Sequence, residues 1–155
     1  MEHIIFNQLA FARNNTLKVL EGITERTATS IPEKFRNHIL WQAGHIYVVQ
    51  ERFALLLHGL EAQLPESFLA LFVAGTTPLT WAETPPTMTE VVDMLRKQQE
   101  RIQTALKDRL SEQAPAPYKT SSGFTLETFG EFLNFTLYHE GMHVSSIKHY
   151  KMLLN

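Results

Sequence analysis

Two histidines four positions apart, His139 and His143, flank Glu140 in the stretch LYHEGMHVSS, residues 137–146, and so spell HExxH. Residues four apart share one face of a helix, so both imidazoles could grip one metal ion with Glu140 as general base, the arrangement of a zinc protease. That chemistry needs a third protein ligand and, typically, strands that hold an extended substrate. The residues after His143 offer one further histidine, His149, which stands about 120° away around the helix. A third ligand must therefore come from upstream.

His45 is the best-placed upstream candidate, lying mid-helix in the apolar stretch NHILWQAGHIYVVQERF beside Gly44, which would let another element approach closely. An imidazole buried there needs a polar partner. His38 and Trp41 lie on nearly the same face, so His38, Trp41, His45 and Val49 would line one wall of a pocket, with His38 nearer the helix start and partly exposed. Phe132 and Tyr138 are candidates for the rim of the same cavity. Three neutral imidazoles leave a tetrahedral Zn²⁺ one open position, for water, a thiol or a substrate oxygen, as in catalytic sites. Zinc is the favoured ion, although an all-imidazole set also accepts nickel, copper, iron or manganese.

Glu140, the candidate catalytic carboxylate, points about 100° away from His139 on an ideal helix. It has three candidate roles: general base, partner to a ligand imidazole, or an interhelical polar contact, with the last two favoured together. His3, His58 and His149 read as surface residues. Phe124, Phe129, Phe132 and Phe135 read as core, and Trp81 as an anchor for its loop.

Four long segments with helical periodicity must position these groups, and none shows sustained strand-like alternation, so the expected class is all-α. The first helix runs from about His3 to Thr24 with a polar waist at residues 13–15. The second begins after Pro32 and ends at Gly59, the third opens on a capping box of Thr87 and Glu90, and the fourth spans Thr125 to about Leu154. Residues 60–86 hold four prolines and form a long connection with one short helix at Ser67–Phe72. SEQAPAPYKTSSG reads as a second loop. Such a set predicts a four-helix bundle over residues 1–155, one domain, whose long link between the second and third helices argues against plain up-down-up-down wiring.

Composition narrows the function classes. The net charge is −2 and no Lys/Arg cluster occurs, which argues against nucleic acid as a partner. The chain has no cysteine, so a metal site must rest on histidine and carboxylate. No stretch approaches the roughly 20 apolar residues of a membrane span, and MEHIIFNQLAFARNN lacks the pattern of a signal peptide, so a cytoplasmic address is expected.

NHILWQAGHIYVVQERF followed by HEGMHVSSIKHYKMLL resembles the DinB-like superfamily of four-helix-bundle proteins, in which a histidine on the second helix, after a Trp and a Gly, joins an HxxxH pair on the fourth. The connection LFVAGTTPLTWAETPPTMTEVVDML is similar too. The resemblance implies a divalent-metal triad of His45, His139 and His143, a homodimer, and, as in some relatives, transfer or isomerisation chemistry using a low-molecular-weight thiol. One departure stands out: relatives often carry Gly-Gln after the second histidine of the pair, where this chain has HVSS. The favoured expectation is a metal-dependent enzyme acting on a small-molecule substrate by transfer, isomerisation or hydrolysis. A non-catalytic dimeric bundle with a structural, sensing or vestigial metal site is the second reading, and an HExxH protease the weakest.

Overall fold

Apolar residues spaced by threes and fours decide which segments become long helices. In the computed structural model, which describes residues 2–154, α1 (Glu2–Leu20) buries Phe6, Leu9, Arg13, Thr16 and Leu20 along one stripe. It stops four residues short of Thr24, which instead caps a separate short helix, α2 (Glu25–Thr29), by accepting the Thr27 N–H at 3.2 Å. Neutral hydroxyls at such caps satisfy donors that a helix start leaves free.

The second long helix, α3 (Ile39–Ala54), starts later than Pro32 predicts. Lys34 takes a left-handed backbone conformation (φ 68°), and His38 ends the extended approach by accepting the Trp41 N–H on its Nδ1 at 3.0 Å. His38 is thus the N-cap of α3, and capping buries it to 4% exposure where partial exposure was expected. Every residue of α3 except Arg52 is buried, the pattern of a helix surrounded by others. A 3₁₀ turn at Leu56–His58 carries the chain to Gly59, whose left-handed conformation (φ 71°) closes the segment.

The connection contains α4 (Glu66–Phe72) and a 3₁₀ turn at Pro78–Thr80, pinned by Trp81, whose indole N–H donates to the Leu71 carbonyl at 3.0 Å. Helix α5 (Met88–Leu106) opens on the capping box of Thr87 and Glu90 and buries Val91, Leu95, Gln98, Ile102 and Leu106. The second loop is instead a hairpin, in which β1 (Gln113–Lys119) pairs antiparallel with β2 (Thr125–Thr128). Its register breaks between Gln113 and Tyr118, where Pro115 and Pro117 have no N–H to donate. Nearly all of β1 is exposed, so no apolar alternation marks it in the sequence. Phe124, expected in the core, sits at the hairpin turn and is 63% exposed.

The last helix, α6 (Phe129–Leu154), follows β2 directly. The fold is therefore mostly helical with a two-stranded sheet. Helix α3 packs on α6 and α5, and α1 packs on the same two, so α1 and α3 face each other across a diagonal. Of the consecutive long helices, α3 and α5 pack together, whereas α1 has its principal neighbours in α5 and α6. Among the described residues no helix is long and apolar enough to cross a membrane.

Candidate metal centre

Helices α3 and α6 run antiparallel, as the pairs Gln42 with Tyr150, His45 with His139, and Gln50 with Thr136 show. That pairing brings His45 to His139 and His143 although about ninety residues separate them in the chain. His139 Nε2 lies 3.1 Å from His45 Nε2 and 3.1 Å from His143 Nε2. Nitrogens about 2.0–2.1 Å from a common tetrahedral centre stand about 3.3 Å apart, so the spacing is that of a ligand set.

The opposite ring nitrogens show which atoms carry protons. His45 Nδ1 is 2.6 Å from the Phe72 carbonyl oxygen and His143 Nδ1 is 2.5 Å from Gln42 Oε1. Carbonyl oxygens only accept, so both Nδ1 atoms donate and both Nε2 atoms present bare lone pairs to His139. A neutral His139 can donate one proton to one of them at most. Either way a lone pair is left facing another nitrogen without a proton between, an arrangement that a cation relieves. The donor set thus fits a divalent ion, and among the described residues these three form the cluster able to hold one.

Burial keeps the rings neutral. It pushes His139 down to about 4 and, helped by the two neighbouring imidazoles, His143 down to about 3; burial lowers His45 as well. Neutral imidazole is the form that binds a metal. Trp41 stacks flat on His45 with centroids 4.6 Å apart and is held by an indole N–H to Thr76 Oγ1 at 2.9 Å. Gly44 admits the Phe72 ring, since a Cβ there would fall 2.4 Å from it. Phe72 thereby delivers its carbonyl to His45.

Residues 8–147 match the family model of the DinB superfamily. The chain belongs to the DinB superfamily. No curated protein matches it. Proteins of this superfamily often bind metal, and the three histidines that the resemblance points to are the three that this DinB chain gathers.

The other candidate residues lie elsewhere. Glu140 is 1% exposed and turned toward α1, where Arg13 Nε donates to its Oε1 at 2.9 Å and Arg13 Nη2 to its Oε2 at 3.2 Å, with the Thr16 hydroxyl as a further donor. It is an interhelical ion-pair carboxylate rather than a general base at the histidines, because a step of 100° along α6 turns it to the opposite neighbour. Arg13 also donates to the Leu95 carbonyl, Gln50 and Gln98, and Gln98 continues to Glu51, which Arg101 meets from α5. Arg13, the first residue of the polar waist of α1, is the start of this buried network, which sequence reading placed without finding its partners.

His38 lies edge-on to Trp81, centroids 5.2 Å apart, as a cap beside the loop. Phe132 packs in a separate cluster with Val49, Phe53 and Leu126, and it is Phe135 that stands beside His139, with centroids 6.3 Å apart. Tyr138 is 68% exposed and faces the groove between α1 and α6. His58, expected at the surface, is buried against Phe129 with centroids 3.8 Å apart. Gln42 and the Phe72 carbonyl were missed: a glutamine on an apolar helix was the available signal for the first, and none existed for a backbone oxygen.

Proposed function

We propose that this protein is a divalent-metal-dependent enzyme acting on a small molecule by transfer, isomerisation or hydrolysis, with His45, His139 and His143 as the metal ligands. The observation that carries the reading is the convergence of three Nε2 atoms, two of them with their protons committed to carbonyl oxygens on the far side of the ring. A divalent ion there would supply Lewis acidity and coordination positions for a substrate oxygen or a thiol, with zinc favoured over nickel, iron or manganese. The chain's own groups hold the rings neutral, orient them through Phe72 and Gln42, and shield one side with Trp41.

The reading includes the four-helix bundle of the superfamily over residues 1–155 as one domain, a homodimer, and a cytoplasmic setting where a low-molecular-weight thiol is at hand as co-substrate. Exposed Phe11 and Tyr138, which flank a groove between α1 and α6 beside Gly141, support the dimer. Loss of Phe11 and Tyr138 from the surface on self-association is what an apolar patch of this kind favours.

A second reading, a non-catalytic metal-binding bundle, draws on Glu140: the carboxylate of the HExxH motif is tied to Arg13 and supplies no proton to the histidines. The two separate by a screen of zinc-loaded protein against thiol-dependent transfer, isomerisation and hydrolysis substrates, with His143→Ala as control. Turnover lost in the control supports the enzyme. A fully zinc-loaded protein without turnover across all three classes favours the non-catalytic bundle.

A further inference from the structure

Gln42 lies on α3 three residues before His45 and is 5% exposed, a costly place for an amide unless both of its ends are satisfied. Both are. Its Oε1 stands 2.5 Å from His143 Nδ1, and its Nε2 donates to the Tyr150 hydroxyl oxygen at 3.4 Å. Tyr150 is itself buried, with its ring edge-on to Phe35 at 4.9 Å between centroids. One glutamine therefore joins two residues of α6 that are seven positions apart, one of them a member of the triad.

The orientation of that amide decides where the His143 proton sits. With Oε1 toward the ring, Nδ1 must donate and Nε2 keeps a lone pair. With the amide reversed, its NH₂ would face Nδ1, the proton would move to Nε2, and an N–H would point at His139 Nε2 in place of a lone pair. The Tyr150 hydroxyl both donates and accepts, so it satisfies either end of the amide. His45 has no such freedom, because the Phe72 carbonyl is an acceptor that no side-chain replacement removes.

We infer that Gln42 is a positioning residue whose carbonyl oxygen holds His143 in the Nδ1–H tautomer, so that the Nε2 lone pair faces the centre shared with His45 and His139. This rests on the metal-site reading above. It makes His143 the member of the triad whose tautomer a single side chain sets. Partners of this kind typically change metal affinity about 10- to 100-fold.

The test uses the full chain with ¹⁵N-labelled histidine, as wild type, Gln42→Leu and Gln42→Glu. Long-range ¹H–¹⁵N spectra of metal-free protein report which ring nitrogen of His143 carries the proton, and chelator competition gives the Zn²⁺ affinity. The expected result is the Nδ1–H form in wild type and Gln42→Glu, a shift toward Nε2–H in Gln42→Leu, and a loss of about 10- to 100-fold in Zn²⁺ affinity in Gln42→Leu that Gln42→Glu restores. Should Gln42→Leu not fold, Gln42→Asn, which retracts the carbonyl by one methylene, takes its place. Unchanged tautomer and affinity in a folded Gln42→Leu, or a Gln42→Glu as weak as Gln42→Leu, overturns the inference. A tautomer that follows Gln42 in a protein that binds no Zn²⁺ supports the orienting role and removes the metal reading instead.

Discussion

The Nδ1 of His45 lies 2.6 Å from the carbonyl oxygen of Phe72, a residue of α4 that reaches α3 only because position 44 is glycine. The long connection after α3 thus has a task at the histidines: it supplies the acceptor that fixes one imidazole, and it does so through backbone, which tolerates any side chain that lets the helices approach.

Replacing that glycine is the direct probe of the contact. Gly44→Ala places a Cβ 2.4 Å from the Phe72 ring, so the ring and its carbonyl must move. The expected cost is about 1–3 kcal/mol, read as a lower urea midpoint, together with weaker zinc binding. A variant with wild-type stability and affinity would show that the Phe72 contact does not orient His45.

Glu140 is expected to matter for stability and not for metal. Glu140→Ala leaves the Arg13 guanidinium, 0% exposed, without its carboxylate, and removal of one partner of a buried pair costs about 3–5 kcal/mol. Glu140→Gln, which keeps one acceptor for Arg13, should cost less. Zinc stoichiometry measured on both folded variants should equal that of wild type; a loss of zinc with stability intact would assign Glu140 to the metal after all.

His58 gives the fold an acid-sensitive point. Burial pushes it down to about 4 from the ordinary 6.5, and neither ring nitrogen finds a hydrogen-bond partner among the described residues. The unfolded chain then binds more protons than the folded one between those values, so the contribution is fully present above pH 6.5 and is lost as pH falls through 6.5 toward 4. Denaturation of His58→Leu and wild type across that range should show a shallower decline for the variant. Parallel curves would contradict it.

The triad should stay competent for metal in mild acid. Because His139 and His143 are held down to about 4 and about 3, metal-free protein at about pH 5.5 still offers neutral imidazoles where a free histidine would be mostly charged. Titration of zinc into metal-free protein at about pH 5.5 and about pH 7.5 should give equal stoichiometry. A site empty at the lower pH would show that the rings protonate as exposed histidines do.

Much of this was legible in the sequence where one helix carries the information. The stripes of α1 and α5, the capping box at Thr87 and the HxxxH face are local patterns of 3.6-residue period, and they place the long helices and the face on which His139 and His143 sit. The hairpin was not legible, because an exposed strand with two prolines has no apolar alternation to show. The same holds for partners. Arg13 with Glu140 and Gln42 with His143 lie more than a hundred residues apart, and only packing reveals that Glu140 turns to α1 while Gln42 turns to the triad. His58 misled for the opposite reason: a polar residue beside a helix-ending glycine reads as surface until Phe129 and Phe132 of α6 cover it.

Metal content by inductively coupled plasma mass spectrometry, on protein reconstituted with zinc and freed of excess, tests the central claim most directly in wild type and His45→Ala. The account predicts about one zinc per wild-type chain and a large loss in the variant, with circular dichroism showing both folded. A wild type that stays empty after reconstitution, or a His45→Ala that retains its zinc, would contradict it.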